Sequence, residues 1–141
     1  MVFIAEVTHP GNIHVQVNTA LVSLVMRTCP DMELYLFGEK KHLAAIQGNS
    51  NLPPIHLVPL KFPAAPRPLY WITKIGGECI RIWSVVRKAY RQKPAVLIWT
   101  SLFPVGHWFL QLLGPVFLRK QRQVIILHGE LEYFNPGLKR A

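Results

Sequence analysis

Histidines follow several apolar runs of this 141-residue chain, and imidazole is the side chain best suited to acid–base work near neutral pH. His9 and His14 belong to the first such loop, His107 lies beyond the fourth run, and His128 comes directly after the fifth. Gly129 lets the chain turn after His128, so this imidazole can reach a substrate hydroxyl or a phosphate oxygen. We predict His128 as a catalytic residue; the plainer alternative is a loop histidine with ordinary hydrogen bonds.

The loop THPGNIH (8–14) after the first run is the second candidate. Pro10, Gly11 and Asn12 form a tight-turn sequence. A helix that begins near Ile13 points its unbonded backbone N–H groups at a phosphate or a developing negative charge. Gly11 and Asn12 are therefore predicted to bind substrate. The alternative is an ordinary turn with Asn12 as the helix cap, and one glycine does not make the three-glycine dinucleotide motif.

Other catalytic signatures do not occur in the sequence. His9 and His14 have no third ligand at a recognisable spacing, so we predict no metal site. Neither a G-x-S-x-G nucleophile elbow nor a P-loop occurs. Cys29 and Cys79 form no C-x-x-C pair and fall on predicted apolar helix faces, which indicates core positions and a reducing compartment.

The elements that position these loops are visible as apolar runs. Five apolar runs rich in β-branched and aromatic residues lie at 2–7, 32–37, 55–60, 95–99 and 123–127. Most are continuously apolar rather than alternating, which predicts strands buried on both faces of a parallel sheet. Segments of helical period separate them. The alternation predicts an α/β fold: a Rossmann-like, doubly wound parallel sheet of order 3-2-1-4-5 in a three-layer sandwich. In such sheets ligands bind beyond the carboxyl ends of the strands, where both candidate loops fall.

The longest predicted helix spans 68–92 and carries an apolar stripe opposite a basic face. The stripe consists of Ile72, Ile75, Cys79, Ile82, Trp83, Val86 and Tyr90. The basic face consists of Lys74, Arg81, Arg87, Lys88 and Arg91. The pair Gly76-Gly77 in the middle predicts a kink.

The chain is strongly basic, with sixteen Lys and Arg against seven Asp and Glu and a net charge of +9. Such a charge predicts attraction to phosphates of sugar nucleotides, nucleic acid or anionic lipids. The basic helix lacks the interleaved aromatic residues of a nucleic-acid surface, which argues against that partner.

The stretch 94–118 contains no charged residue and is followed by RKQR at 119–122, as a membrane span and its cytoplasmic flank would be. Its polar residues, glycines and prolines favour a strand and then a helix from an N-cap at Ser101 to about Leu113. A membrane-anchored protein spanning through 95–118 is the alternative. The helix also suits a bilayer surface.

The runs THPGNIHVQVNTALVSLV and, about 110 residues later, VILHGELE resemble the N-terminal domain of GT-B glycosyltransferases, in particular the retaining, family-four-like class. The resemblance covers the order of elements over nearly the whole chain. By this resemblance, Gly11 matches the first glycine of the family loop and Asn12 stands at its second. His128 matches a histidine near the transferred sugar, Gly129 its partner, and Glu132 a frequent acidic residue. By this resemblance, Gly129 and Glu132 are also expected to bind substrate.

The resemblance implies the acceptor-side half of an enzyme that moves a sugar from a nucleotide-sugar donor to a glycan or lipid-linked acceptor. It implies no other cofactor and a location in the cytoplasm or on the inner face of the membrane. The family's E-x7-E donor motif is missing. We therefore expect 1–141 to be a truncated, single domain that lacks its C-terminal donor domain and is inactive alone. A non-catalytic α/β binding module is the alternative.

Overall fold

The computed structural model describes residues 1–48, 55–64 and 66–126. Its strands form one parallel sheet of order β3-β2-β1-β4-β5. Their bounds are β1 Val2–Glu6, β2 Leu34–Glu39, β3 His56–Leu60, β4 Val96–Ser101 and β5 Arg122–Ile125. The α/β fold, the doubly wound sheet and the strand order predicted from the sequence are confirmed.

The helices lie on both faces of the sheet, at α1 Val15–Thr28, α2 Lys40–Gly48, α3 Tyr70–Gln92 and α4 Pro104–Phe117. In the core, α1 and α2 pack with Val2 and Ile4 of β1, whereas α3 and α4 pack with Phe3 and Ala5. Alternate residues of one strand thus face opposite layers. Because both faces are covered, every residue of the central strand β1 is buried, whereas the edge strand β5 is mostly exposed.

The residues that α3 buries are only partly those predicted from the sequence. Ile82 and Val86 are buried as expected, but Ile72 and Tyr90 are exposed and Arg81 is only 6% exposed. The first half of α3 does not pack on the apolar sheet face. It contributes buried polar residues to the carboxyl edge of the sheet, so its apolar stripe there does not mark the core.

The helix continues through Gly76 and Gly77, and the kink proposed there stays a prediction. Gly77 is closely packed, because a Cβ at this position would lie 2.9 Å from Nη1 of Arg81. The cysteines are also less buried than predicted: both Cys29 and Cys79 are partly buried, and Cys29 caps the end of α1.

The uncharged stretch forms β4 and α4, so the prediction of a strand followed by a helix is confirmed. Ser101 is not the N-cap of that helix, because it is the last residue of β4 and bonds elsewhere. Phe103 holds the N-cap position, and α4 extends to Phe117. In the ranges that the structure describes, no helix is both long and apolar enough to cross a membrane.

Candidate functional site

The candidate site is centred on Glu6, the last residue of β1, whose side chain is fully buried. Its Oε1 accepts hydrogen bonds from the backbone N–H groups of Thr8 and His9, both at 3.1 Å. The hydroxyls of Thr8 and Ser101 donate to the same oxygen at 2.8 and 2.9 Å. A carboxylate with this many donors is held in one orientation.

The second oxygen of Glu6 faces other parts of the chain. Oε2 accepts hydrogen bonds from Thr100 Oγ1 at 3.0 Å, Asn18 Nδ2 at 3.4 Å and His14 Nδ1 at 3.4 Å. Burial on its own raises the pKa of Glu6, but hydrogen bonds, first from His14 and then from Thr8, outweigh it. The pKa of Glu6 lies well below its usual range, and the group is a carboxylate at neutral pH.

A bulge in the sheet explains how two successive residues of β4 reach the same carboxylate. Ala5 pairs with Trp99, whereas Glu6 pairs with Ser101, so Thr100 is the extra residue of β4. Neighbouring side chains of a regular strand point to opposite faces, and a bulge re-aims one of them. Both Thr100 and Ser101 therefore bond to Glu6.

Glu6 and its hydrogen-bond partners lie where the adjacent strands β1 and β4 end. β1 and β4 are adjacent in the sheet, and the chain leaves β1 for a helix on one face and leaves β4 for a helix on the other. This is the topological switch point of a doubly wound sheet, the place where such folds bind ligands.

Two half-buried histidines lie over the carboxylate. His9 and His14 meet edge to face, with ring centroids 4.4 Å apart. Nδ1 of His9 lies 2.6 Å from Thr8 Oγ1, and since that hydroxyl donates to Glu6, Nδ1–H of His9 is the donor to Thr8. The Thr8 hydroxyl also contacts that of Ser101. In this tautomer the basic lone pair of a neutral His9 resides on Nε2.

The predicted substrate loop is held by the neighbouring strand and helix. Gly11 has a left-handed backbone, with φ of 70°, and its N–H donates to Glu39 Oε2 at 3.0 Å. Its carbonyl accepts from Nδ1 of the buried His42 at 2.8 Å, and Nε2 of His42 accepts from Asn18 at 2.9 Å. Asn18 thus links the loop anchor to Glu6.

Helix α1 begins at Val15, with His14 as its N-cap residue in the left-handed conformation, and not near Ile13 with Asn12 as the cap. Asn12 is exposed. That Gly11 and Asn12 bind substrate stays a prediction, although the Gly11 amide already donates within the protein.

A cavity of about 280 Å³ opens beside this loop. Its walls combine two cations, hydroxyls and aromatic rings: Thr8, Pro10, Phe62, Pro63, Ala64, Tyr70, Thr73, Lys74 and Arg81. Thr8 and Pro10 are the sequence neighbours of His9, so the cavity and the histidine pair share one loop. The combination of cations and rings suits an anionic ligand that also has an apolar face.

The two cations of the cavity are positioned differently. Arg81 donates from Nε to the Val7 carbonyl at 2.6 Å, and its guanidinium lies 3.8 Å from the ring centroid of Phe62. Burial lowers the pKa of Arg81, and the charges of Glu78 and Glu6 act against this effect. Nζ of Lys74 lies 4.5 Å from the ring centroid of Phe103. Arg81 is fixed in the wall, whereas Lys74 rests on aromatic surface.

Glu78 is a second buried carboxylate near the cavity. It accepts the backbone N–H of Phe103 at 2.9 Å, at the start of α4. A Cβ at Gly106 would meet the carboxylate of Glu78, so a larger residue here would require the helix or the carboxylate to shift. Glu78 thereby ties α3 to the N-terminus of α4.

The structure supplies the third group that the histidine spacing lacked. Potential ligand atoms of Glu6, His9 and His14 all lie within 4.8 Å of one another, so these residues are able to hold a divalent cation. A cation here would replace the hydrogen bond from His14 to Glu6. Without one, the same geometry orients two imidazoles for proton transfer.

The remaining predicted site residues, His128, Gly129 and Glu132, lie outside the described residues. Sequence reasoning missed Glu6, Asn18, His42 and the hydroxyls of β4. One signal was available: Glu6 is the only charged residue in the otherwise apolar run 2–7.

Fold and site together define an α/β protein of Rossmann-like type with a polar crevice at its switch point. No family model, no curated protein and no solved structure matches the chain.

Proposed function

We propose that this chain is the acceptor-side domain of a glycosyltransferase that moves a sugar from a nucleotide-sugar donor to a glycan or lipid-linked acceptor. The main support for this proposal is the cavity with Lys74 and Arg81, which lies beside the pair formed by His9 and the buried Glu6. In this proposal a separate donor-binding domain completes the crevice, and the resemblance assigns His128 to the region near the transferred sugar.

The proposed chemistry uses each group of the crevice for one task. The acceptor lies in the cavity, with its phosphate or other anionic group on Lys74 and Arg81 and its sugar ring against Phe62 and Tyr70. Nε2 of His9 takes the proton of the acceptor hydroxyl. The hydroxyl oxygen bonds to the anomeric carbon of the donor, and the bond from that carbon to the diphosphate breaks, so the nucleoside diphosphate leaves with the electron pair.

Glu6 supports this step without touching the substrate. Its hydrogen bond from Thr8 keeps the Thr8 oxygen as an acceptor for His9 Nδ1–H, which fixes the tautomer. Its negative charge favours the imidazolium that forms when His9 gains a proton.

Binding of glucose 1-phosphate, followed by calorimetry, tests the cavity. Lys74→Met is expected to weaken this binding about tenfold, because one of two cations is removed. Lys88→Met is the matched control: Lys88 lies on the same helix and also over aromatic rings, those of Tyr35 and Phe37, but does not line this cavity. Equal affinities of the two variants, or no binding by the unaltered chain, contradict the proposal.

Sugar transfer tests the domain assignment separately. Given a nucleotide sugar and an acceptor, the 141-residue chain alone is expected to release no nucleoside diphosphate, since the proposal assigns donor binding to a separate domain. Measured transfer by this chain would contradict the assignment to an acceptor-side domain while leaving the cavity result in place.

A further inference from the structure

The outer side of α4 carries an apolar stripe that nothing in the described structure covers. Trp108 and Leu112 are 74% and 72% exposed, and Val105 and Val116 continue the stripe at helical spacing. The opposite side of the helix is buried. Single exposed apolar residues are ordinary, but four along one uncharged helix form a patch that marks a contact surface.

Positive charge surrounds one end of this stripe. The sequence has no Asp or Glu between Glu78 and Ile126, whereas it has eight Lys and Arg in the same stretch. A groove of about 400 Å³ next to Val116 contains three of these cations; it is lined by Tyr90, Lys93, Val116, Phe117, Arg119, Lys120 and Gln121. We call the stripe and this groove together the α4 face.

The basic side of α3 adjoins the α4 face. Phe117 of α4 contacts the rings of Trp83 and Tyr90, at centroid distances of 5.2 and 5.7 Å. Trp83 lines a second groove that contains Arg87, Lys88 and Arg91. The positive field is therefore continuous from the groove of the α4 face to the C-terminal half of α3, and it attracts an extended anionic surface.

We propose that the α4 face binds the surface of a membrane that contains anionic lipids. Trp108 and Leu112 enter the boundary between headgroups and acyl chains, and Lys93, Arg119 and Lys120 bind lipid phosphates. With 14 residues, α4 lies on the membrane and does not span it, because a span needs about 20 apolar residues. This proposal is independent of whether the crevice binds sugar.

The combination of an apolar stripe with an adjoining cationic groove favours a membrane over a nucleic acid or a protein partner. A nucleic acid would use the cations but has no use for a stripe of Val, Leu and Trp on an adjoining helix. A protein partner that covers the stripe requires no cationic groove beside it. An indole next to apolar residues and a phosphate-binding rim fits the interfacial layer of a bilayer, where Trp is enriched.

Co-sedimentation of the full chain with lipid vesicles tests the proposal. We expect binding to vesicles of phosphatidylcholine mixed with phosphatidylglycerol, weakened by salt, and little binding to phosphatidylcholine alone. Arg119→Gln combined with Lys120→Gln is expected to reduce the partition about 30-fold. Trp108→Ser combined with Leu112→Ser is expected to reduce it at least about tenfold.

The matched control is Leu24→Ser combined with Val17→Ser on α1. Leu24 is 59% exposed and Val17 is also exposed, but α1 lies on the opposite face of the sheet. The control is expected to bind vesicles as the unaltered chain does, and circular dichroism checks that all variants fold. No binding to anionic vesicles, equal loss in the control, or a salt-independent dimer that only Trp108→Ser with Leu112→Ser abolishes would each overturn the proposal.

Discussion

The carboxyl edge of the sheet and the outer side of α4 depart from ordinary burial in opposite directions. At the edge, Glu6 has an exposure of 0% and is surrounded by donors from the loop after β1, from α1 and from β4. On α4, Trp108 is 74% exposed in a helix without a charged residue. Charge is thus placed inside and apolar surface outside, and each arrangement is costly unless it is compensated.

The two regions differ in where that compensation lies. The carboxylate of Glu6 finds its partners within the chain, so its energy is part of the folding free energy. The stripe on α4 is exposed within the described residues, so its packing contributes little to the stability of that part of the fold. Substitutions at the edge should therefore change stability, and substitutions on the outer side of α4 should change association alone.

The largest expected effect is that of Glu6→Gln. The amide keeps the shape but loses the charge and turns an N–H₂ group towards donors, so stability is expected to fall by about 3 kcal/mol. Guanidinium-induced unfolding measures this, with the exposed Glu33→Gln as control, expected within about 0.5 kcal/mol of the unaltered chain. Equal stabilities of the two variants would show that the Glu6 network does not stabilise the fold.

Gly106→Ala tests the buried side of α4, opposite the exposed apolar stripe. The new methyl group meets Glu78, so the helix or the carboxylate must move, at an expected cost of about 2 kcal/mol. Gly76→Ala is the control, because a Cβ there meets nothing within 4 Å, and helix propensity predicts a gain of about 0.5–1 kcal/mol. A loss at both positions would contradict the packing argument.

The pH dependence of stability distinguishes charge from shape at the edge. The folded-state pKa of Glu6 is lowered from 4.5, so its contribution is fully present above pH 4.5 and is lost as the pH falls further. The stability difference between the unaltered chain and Glu6→Gln is expected to shrink below pH 4.5, by up to about 1.4 kcal/mol per pH unit. A difference that is constant with pH would mean that Glu6 acts through packing.

The smallest effect is expected for Trp108→Ser. Loss of an exposed indole should change the free energy of unfolding by less than about 0.5 kcal/mol, since it removes few contacts inside the protein. Thermal and denaturant unfolding measure this. A loss of several kcal/mol would indicate that Trp108 is a packing residue and would remove the contrast between the two regions.

The sheet could be predicted because its signals are local. The continuous apolar runs are typical of buried parallel strands, and the helical segments between them leave few topologies open. The buried side of α3 was predicted less well. Periodicity identifies an apolar stripe on a helix but does not show which part of the fold that stripe contacts. In the first half of α3, Arg81 is buried at the edge of the sheet, and Ile72 is exposed.

The sequence by itself determined the fold class and the strand order, and it predicted the carboxyl-edge loops as the place for a ligand. Only the tertiary structure decided which side chains meet there. Thr8 and Ser101 are separated by 93 positions and meet because β1 and β4 are neighbours in the sheet, with a bulge that turns both hydroxyls of β4 to Glu6. Such contacts depend on strand register and on local irregularity, which leave no periodic trace in the sequence.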